Sequence, residues 1–238
     1  MNGLELCVRF SYITNTLRFC GPEEAATQFL QYIEKKDNAG PVEASLKRFE
    51  GLLPYLSTIA EKNGEEPFDH DVVEAYWIGN KLLDACDDAD MKSCIQKLMQ
   101  RGLPKSWGEK KIAQLPSGFR PHHDFNVFYV GVGMLTGSVE RTMQNMDNCR
   151  ISWGKVLDVH PGQLIVSTQQ LEKKYGDFVL VEATKNAMFL PVMLPDVQKG
   201  DHVALHWGFA AVELTTQQSA SLKKYTKNIL SVMNAQKD

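Results

Sequence analysis

No run of about 20 consecutive apolar residues occurs anywhere in this chain, so no segment has the length of a membrane-spanning helix. Basic residues are not in excess either: 26 Lys and Arg stand against 29 Asp and Glu, for a net charge of -3. A protein that neutralises many phosphates carries the opposite balance, and no strand shows a basic, aromatic-studded face, so nucleic acid is not an expected partner. Cysteine is scarce, odd in number and scattered (Cys7, Cys20, Cys86, Cys94, Cys149), with no C-x-x-C pair. That pattern suits free thiols in a reducing compartment better than a disulfide framework. Residues 1–7 contain no basic region followed by an apolar run, and no internal repeat or low-complexity tract is visible. The expectation is a soluble, cytoplasmic protein.

What is present is the composition of a folded protein. The chain has 238 residues and is 43% hydrophobic, enough for one large domain or two small ones. The first half reads as mainly helical. Residues 4–19 give no clear period. Pro22 with Glu23 and Glu24 signals a helix start, and Phe29, Leu30 and Ile33 supply its apolar face up to Lys35 and Lys36. Leu46, Phe49, Leu53, Leu56 and Ile59 recur at helical spacing, with Pro54 expected to kink or divide that helix. Asp69 is a plausible N-cap for a helix carrying Val72, Val73, Tyr76, Trp77 and Leu83 on to Cys86. Met91, Ile95, Leu98 and Met99 form a shorter pattern. Residues 121–130 alternate His123, Phe125, Val127 and Tyr129 against other residues, which predicts a strand, followed by a glycine-rich loop and a short helix over 138–146.

From Cys149 onward the pattern is one of strands. Ile151, Trp153, Leu157 and Val159 share a parity broken only by Lys155, and His160-Pro161-Gly162 predicts a turn into a second strand. Tyr175-Gly176-Asp177 turns the chain again, and residues 189–194 are candidates to pair with 178–183. A turn at Gly200 precedes a strand in which His202, Ala204 and His206 alternate with Val203, Leu205 and Trp207, so both histidines share one face. Thr215 and Gln218 form a capping-box signal for a terminal helix bearing Leu222, Tyr225, Ile229 and Met233. The predicted fold is α+β: a mainly helical domain over 1–145, then a small OB-like β-barrel with a C-terminal helix over 146–238.

Several of these residues could carry chemistry. Cys149, at the head of its predicted strand, offers a soft ligand for iron or zinc, although free cysteine often serves as a small buried hydrophobe. His206 is a candidate second ligand, with a hydrogen-bonded histidine beside Trp207 as the plainer alternative. His202, near the turn, reads as solvated. His122 and His123 are possible ligands or bases, but adjacent residues on a strand point to opposite faces and cannot both chelate one ion. Cys20 precedes a helix start, where unpaired amides and the helix dipole would lower a thiol's pKa. Cys7, Cys86, Cys94 and the Tyr76-Trp77 pair read as core.

Residues 149–159, the 196–209 turn and strand, and the terminal helix together resemble the HypC/HupF family of nickel-iron hydrogenase assembly chaperones, in order, kind and spacing within each block. The resemblance covers roughly the last two-fifths of the chain. It implies an accessory protein rather than an enzyme, with Cys149 and His206 matching the family's cysteine and histidine. It also implies transient iron bearing cyanide and carbonyl ligands, and the hydrogenase large subunit or other maturation proteins as partners. Here the cysteine is internal, Trp153 replaces the family's usual proline, and the 170–188 segment is longer. The N-terminal part is similar to uncharacterised helical regions, with a Cys-Gly-Pro element and a His-His-x-Phe segment, that are fused to such tails. That likeness implies a surface shared by Cys20, His122, His123 and Cys149. A second expectation, from a different class, is a thiol- or metal-dependent hydrolase built on Cys20, His122 and His123 with the barrel appended.

Overall fold

The computed structural model describes residues 1–236. Helix α1 (Gly3–Thr16) starts at Asn2, whose side chain accepts from the Glu5 amide at 2.8 Å. Nearly every residue of α1 is buried, so it has no polar stripe to betray its period, which is why residues 4–19 give no pattern in sequence. Helices α2 (Ala25–Lys35), α3 (Ala39–Leu46), α4 (Leu52–Asn63) and α5 (His70–Trp77) follow. Pro54 neither kinks nor divides a helix. It lies in the first turn of α4, where a missing amide hydrogen costs nothing. The helix expected to continue to Cys86 stops at Trp77 instead, because Gly79 takes φ +93°, and a separate 3-10 turn spans Lys81–Ala85. Helices α6 (Asp88–Met99) and α7 (Lys105–Ala113) complete the first helical group.

Residues 121–130 are not a strand. His123–Phe125 is a helical turn, α8, which runs directly into a π-helical turn over Asn126–Gly131. All of these residues except Asn126 are buried, so the apparent alternation carried no information about which side faces solvent. Helix α9 (Met143–Cys149) then leads into the sheet, which places Cys149 at the end of a helix rather than the head of a strand.

Five strands follow: β1 (Ser152–His160), β2 (Gln163–Lys174), β3 (Asp177–Met188), β4 (His202–His206) and β5 (Phe209–Glu213). They pair in the order β1-β2-β3-β5-β4, with β4 returning to β1, and the β3–β5 link consists of one parallel pair, Met188 with Phe209. Residues 189–194 do not pair with 178–183, since β3 is one long partner of β2 throughout. The sequence pattern predicts no strand between Trp207 and the terminal helix, but β5 lies there. Trp207 (φ +51°) and Gly208 (φ +70°) form a two-residue hairpin turn, and His206 pairs with Phe209 across it. In β1 the register slips between Val156 and Asp158, making Leu157 an extra residue. The bulge turns Val156 inward and leaves Leu157 and Val159 exposed, against the expected face. Helix α10 (Thr216–Asn234) begins with the expected capping box between Thr215 and Gln218 and buries Leu222, Tyr225 and Ile229.

A continuous buried cluster runs through the helices and the sheet. The fold is therefore α+β, with helices first, a five-stranded sheet and a C-terminal helix. Among the described residues, no helix is long and apolar enough to cross a membrane.

Candidate metal centre

The face of β4 that carries His202, Ala204 and His206 is shared as expected, but it is not open to solvent. Residues 203–206 are all buried, because helical residues pack over the His206 end. His206 Nδ1 lies 3.0 Å from the carbonyl oxygen of Phe10 in α1. A carbonyl only accepts, so Nδ1 carries the proton and Nε2 keeps its lone pair. That Nε2 is buried and has no hydrogen-bond partner. Burial holds the imidazole neutral by lowering its pKa to about 4, an effect the Phe10 carbonyl only partly offsets.

His123 reaches the same place from α8. Its Nε2 lies 3.0 Å from the Cys149 carbonyl oxygen, and its Nδ1 lies 2.9 Å from the Tyr76 hydroxyl. The carbonyl again fixes the proton, here on Nε2, so the Tyr76 hydroxyl donates to Nδ1. Desolvation keeps this ring neutral as well, with its pKa well below the ordinary value. Cys149 supplies the third donor: Sγ is 3.8 Å from His123 Nε2. Burial pushes the Cys149 thiol well above its usual range, the neighbouring Cys20 adds to that, and the Trp207 indole offsets part of it.

The donor atoms of His123, Cys149 and His206 all lie within 4.8 Å of one another. The three come from α8, the end of α9 and the end of β4, and the surrounding hydrogen bonds explain why they converge. Asp124 is fully buried; its carboxylate accepts from the Ile151 amide at 3.1 Å and the Thr226 hydroxyl at 2.6 Å, tying α8, the start of the sheet and α10 together. The Trp207 amide donates to the Asn148 carbonyl at 2.7 Å, which fixes the β4–β5 turn against the end of α9. Trp77 packs on both histidines, with ring centroids 4.6 Å from His123 and 5.6 Å from His206.

Two neutral imidazoles and a thiol suit a borderline or soft transition ion such as zinc or iron. The orphaned Nε2 of His206 fits this directly, since its Nδ1–H···O=C bond is the outer-shell contact that orients a ligating histidine. For His123 to ligate through Nε2, its proton must move to Nδ1, and the Tyr76 hydroxyl can accept there as readily as it donates. Three protein donors leave coordination positions over, and a cavity of about 70 Å³ lies beside them. Its lining is largely apolar, with Phe19, Phe49, Leu52, Leu135, Val139 and Trp207 among the contributors.

The other candidates separate. Cys20 lines the same cavity, but the helix that follows it, α2, begins only at Ala25, and burial together with the Glu50 carboxylate pushes its thiol up to about 12. The expected activation by a helix start is absent. No hydrogen bond joins Cys20 to His122 or His123 among the described residues, so the thiol-hydrolase arrangement has no nucleophile and base in contact. His122 points elsewhere: its Nδ1 accepts from the Asp124 amide at 3.1 Å, and its ring stacks near Tyr225. Cys7, Cys86 and Cys94 are buried, as expected. Tyr76 and Trp77 were readable only as core; the one signal for a second role was a hydroxyl in an otherwise apolar stripe.

The fold and the site thus define an α+β protein with a buried His-Cys-His donor group where helices meet sheet. The chain belongs to a family of unknown function, DUF6390, whose model matches residues 1–238. No curated protein and no solved structure matches it.

Proposed function

We propose that this chain is a metal-binding accessory protein that holds an iron fragment on Cys149 and His206, with His123 as a third donor, during assembly of a nickel-iron hydrogenase. The observation that carries the reading is the convergence of these three donors within 4.8 Å, two of them the residues that the HypC/HupF resemblance singles out. The closed strand order is read in the same light, as the small OB-like barrel of that family. On this reading the protein is cytoplasmic, the iron carries cyanide and carbonyl ligands and is cargo rather than a resident cofactor, and the partner is the hydrogenase large subunit or another maturation factor.

The chemistry asked of the chain is modest. Cys149 must lose its proton to ligate, His206 presents a lone pair already free, and His123 changes tautomer against Tyr76. The apolar cavity wall excludes water from the donors, which favours retention of a neutral or weakly solvated cargo. The test is anaerobic purification from a hydrogenase-producing host, followed by iron analysis and infrared spectroscopy in the cyanide and carbonyl stretching region, on the native protein and on Cys149→Ala. Iron with those bands in the native protein, lost in the variant, is the expected result. Normal hydrogenase maturation in cells carrying Cys149→Ala would overturn the reading.

A further inference from the structure

A second concavity lies on the sheet, beneath α10, and its chemistry is opposite to that of the metal centre. Its volume is about 290 Å³, and its walls are polar. Lys155 of β1 and His202 of β4 are directly paired across the strands, and Ser167 of β2 pairs with Lys155 from the other side. Directly opposed residues share a face, so Ser167, Lys155 and His202 form one row across three strands. Lys223 and Lys227, one helical turn apart on α10, close the cleft from above. The Lys223 ammonium sits 5.8 Å over the Trp153 ring.

The charge balance of this cleft departs from that of the chain. Three lysines line it against one carboxylate, Glu182, which already accepts from Gln169 at 2.6 Å, whereas the chain as a whole is net negative at -3. Among the described residues none of the three lysines has an ion pair, although acidic residues outnumber basic ones in the sequence. Lys155 and Lys227 are exposed and Lys223 is half-buried, so all three ammonium groups are open to an anion arriving from solvent. Bidentate recognition of a carboxylate favours arginine, and no arginine lines the cleft; separate ammonium groups act as point charges and suit a phosphoryl group.

We propose that this cleft binds a small diphosphate-bearing ligand, with Lys155, Lys223 and Lys227 as charge partners, Ser167 as a hydroxyl donor and His202 at the rim. The site is independent of the metal centre and of the reading given to it.

Calorimetric titration of the full chain with inorganic pyrophosphate, in chelator to remove metal, tests this. Saturable binding of one equivalent is expected. It should weaken roughly tenfold or more when Lys155→Gln, Lys223→Gln and Lys227→Gln are combined, since each removes a charge-assisted contact. A second triple variant with the same charge change, Lys81→Gln, Lys92→Gln and Lys199→Gln, should bind as the native protein does. Equal weakening in the two variants, or no saturable binding by the native protein, would overturn the site. Citrate binding as tightly as pyrophosphate would overturn the phosphoryl preference. Tighter binding of a single-stranded oligonucleotide would replace the small ligand with a nucleic-acid surface.

Discussion

His206 Nδ1 and the carbonyl oxygen of Phe10 are 3.0 Å apart, although 196 positions separate them in the chain. This one bond fixes the tautomer of the ring and aims a bare lone pair at Cys149 and His123. The first prediction follows from it. Metal-free protein should bind one equivalent of zinc or cobalt, with a thiolate-to-cobalt charge-transfer band in the second case. Cys149→Ala and His206→Gln should each weaken binding by about 100-fold or more, and Tyr76→Phe, which disturbs only the outer contact to His123, by about 10–100-fold. Because the Cys149 thiol is raised well above its usual range, binding releases a proton and affinity should climb with pH.

Acid should destabilise the metal-free protein through the same rings. His206 has its pKa lowered from 6.5 to about 4, and His122 and His123 are lowered too, in each case chiefly by burial. Between the folded and unfolded values the unfolded chain binds more protons, so stability is fully present above about pH 6.5 and falls as pH drops toward 4. His206 alone should account for about 2 kcal/mol of loss between pH 6.5 and pH 5. Urea unfolding at pH 7, 6 and 5 measures this, and His206→Gln should flatten the dependence by a comparable amount.

Asp124 accounts for the placement of two of the three donors. Asp124→Ala leaves the Ile151 amide and the Thr226 hydroxyl buried without an acceptor, at a cost of about 3 kcal/mol or more. Thr226→Val, which strips one partner from the carboxylate, should cost about 2 kcal/mol. Both should also weaken zinc binding, since Ile151 is two residues from Cys149 and Asp124 adjoins His123. Unchanged zinc affinity in a folded Thr226→Val protein would show that this tie does not position the site.

Glycine substitutions distinguish strain from collision. At Gly79 a Cβ would meet the Tyr225 ring at 2.2 Å, with φ at +93°; Tyr225 is held by its hydroxyl bonds to Asn80 and Asp84. Gly79→Ala should therefore cost about 3 kcal/mol or more. Gly64, at φ +71°, has open space around it, and Gly64→Ala should cost only about 1–2 kcal/mol. Thermal melts of the two variants side by side make the comparison.

Much of the fold could be read in advance wherever a segment has one wet side. The capping box at Thr215 and Gln218, the turns at Pro161-Gly162 and Gly200, and the stripe of α10 all lie at such places. The misreadings cluster where a segment is buried on every side. Helix α1 had no stripe, and the π-helical turn after His123 mimicked an alternating strand because both periods fit a run with no exposed face. The bulge at Leu157 depends on pairing with a distant strand, which no local pattern encodes. For the site, Cys149 and His206 were legible through a family resemblance, and His123 through its neighbourhood. Tyr76 and the ties made by Asp124 were not, because their roles are defined by partners far away in sequence.

The reach from Phe10 to His206 also sets an order of events during synthesis. When the ribosome has delivered Cys149 and His123, the strand that carries His206 has not yet been made, so a partial chain holds two of the three donors. Only after β4 has emerged and docked against α1 can the third donor arrive. A chain halted before β4 therefore lacks one of the three donors, however completely its first half has folded.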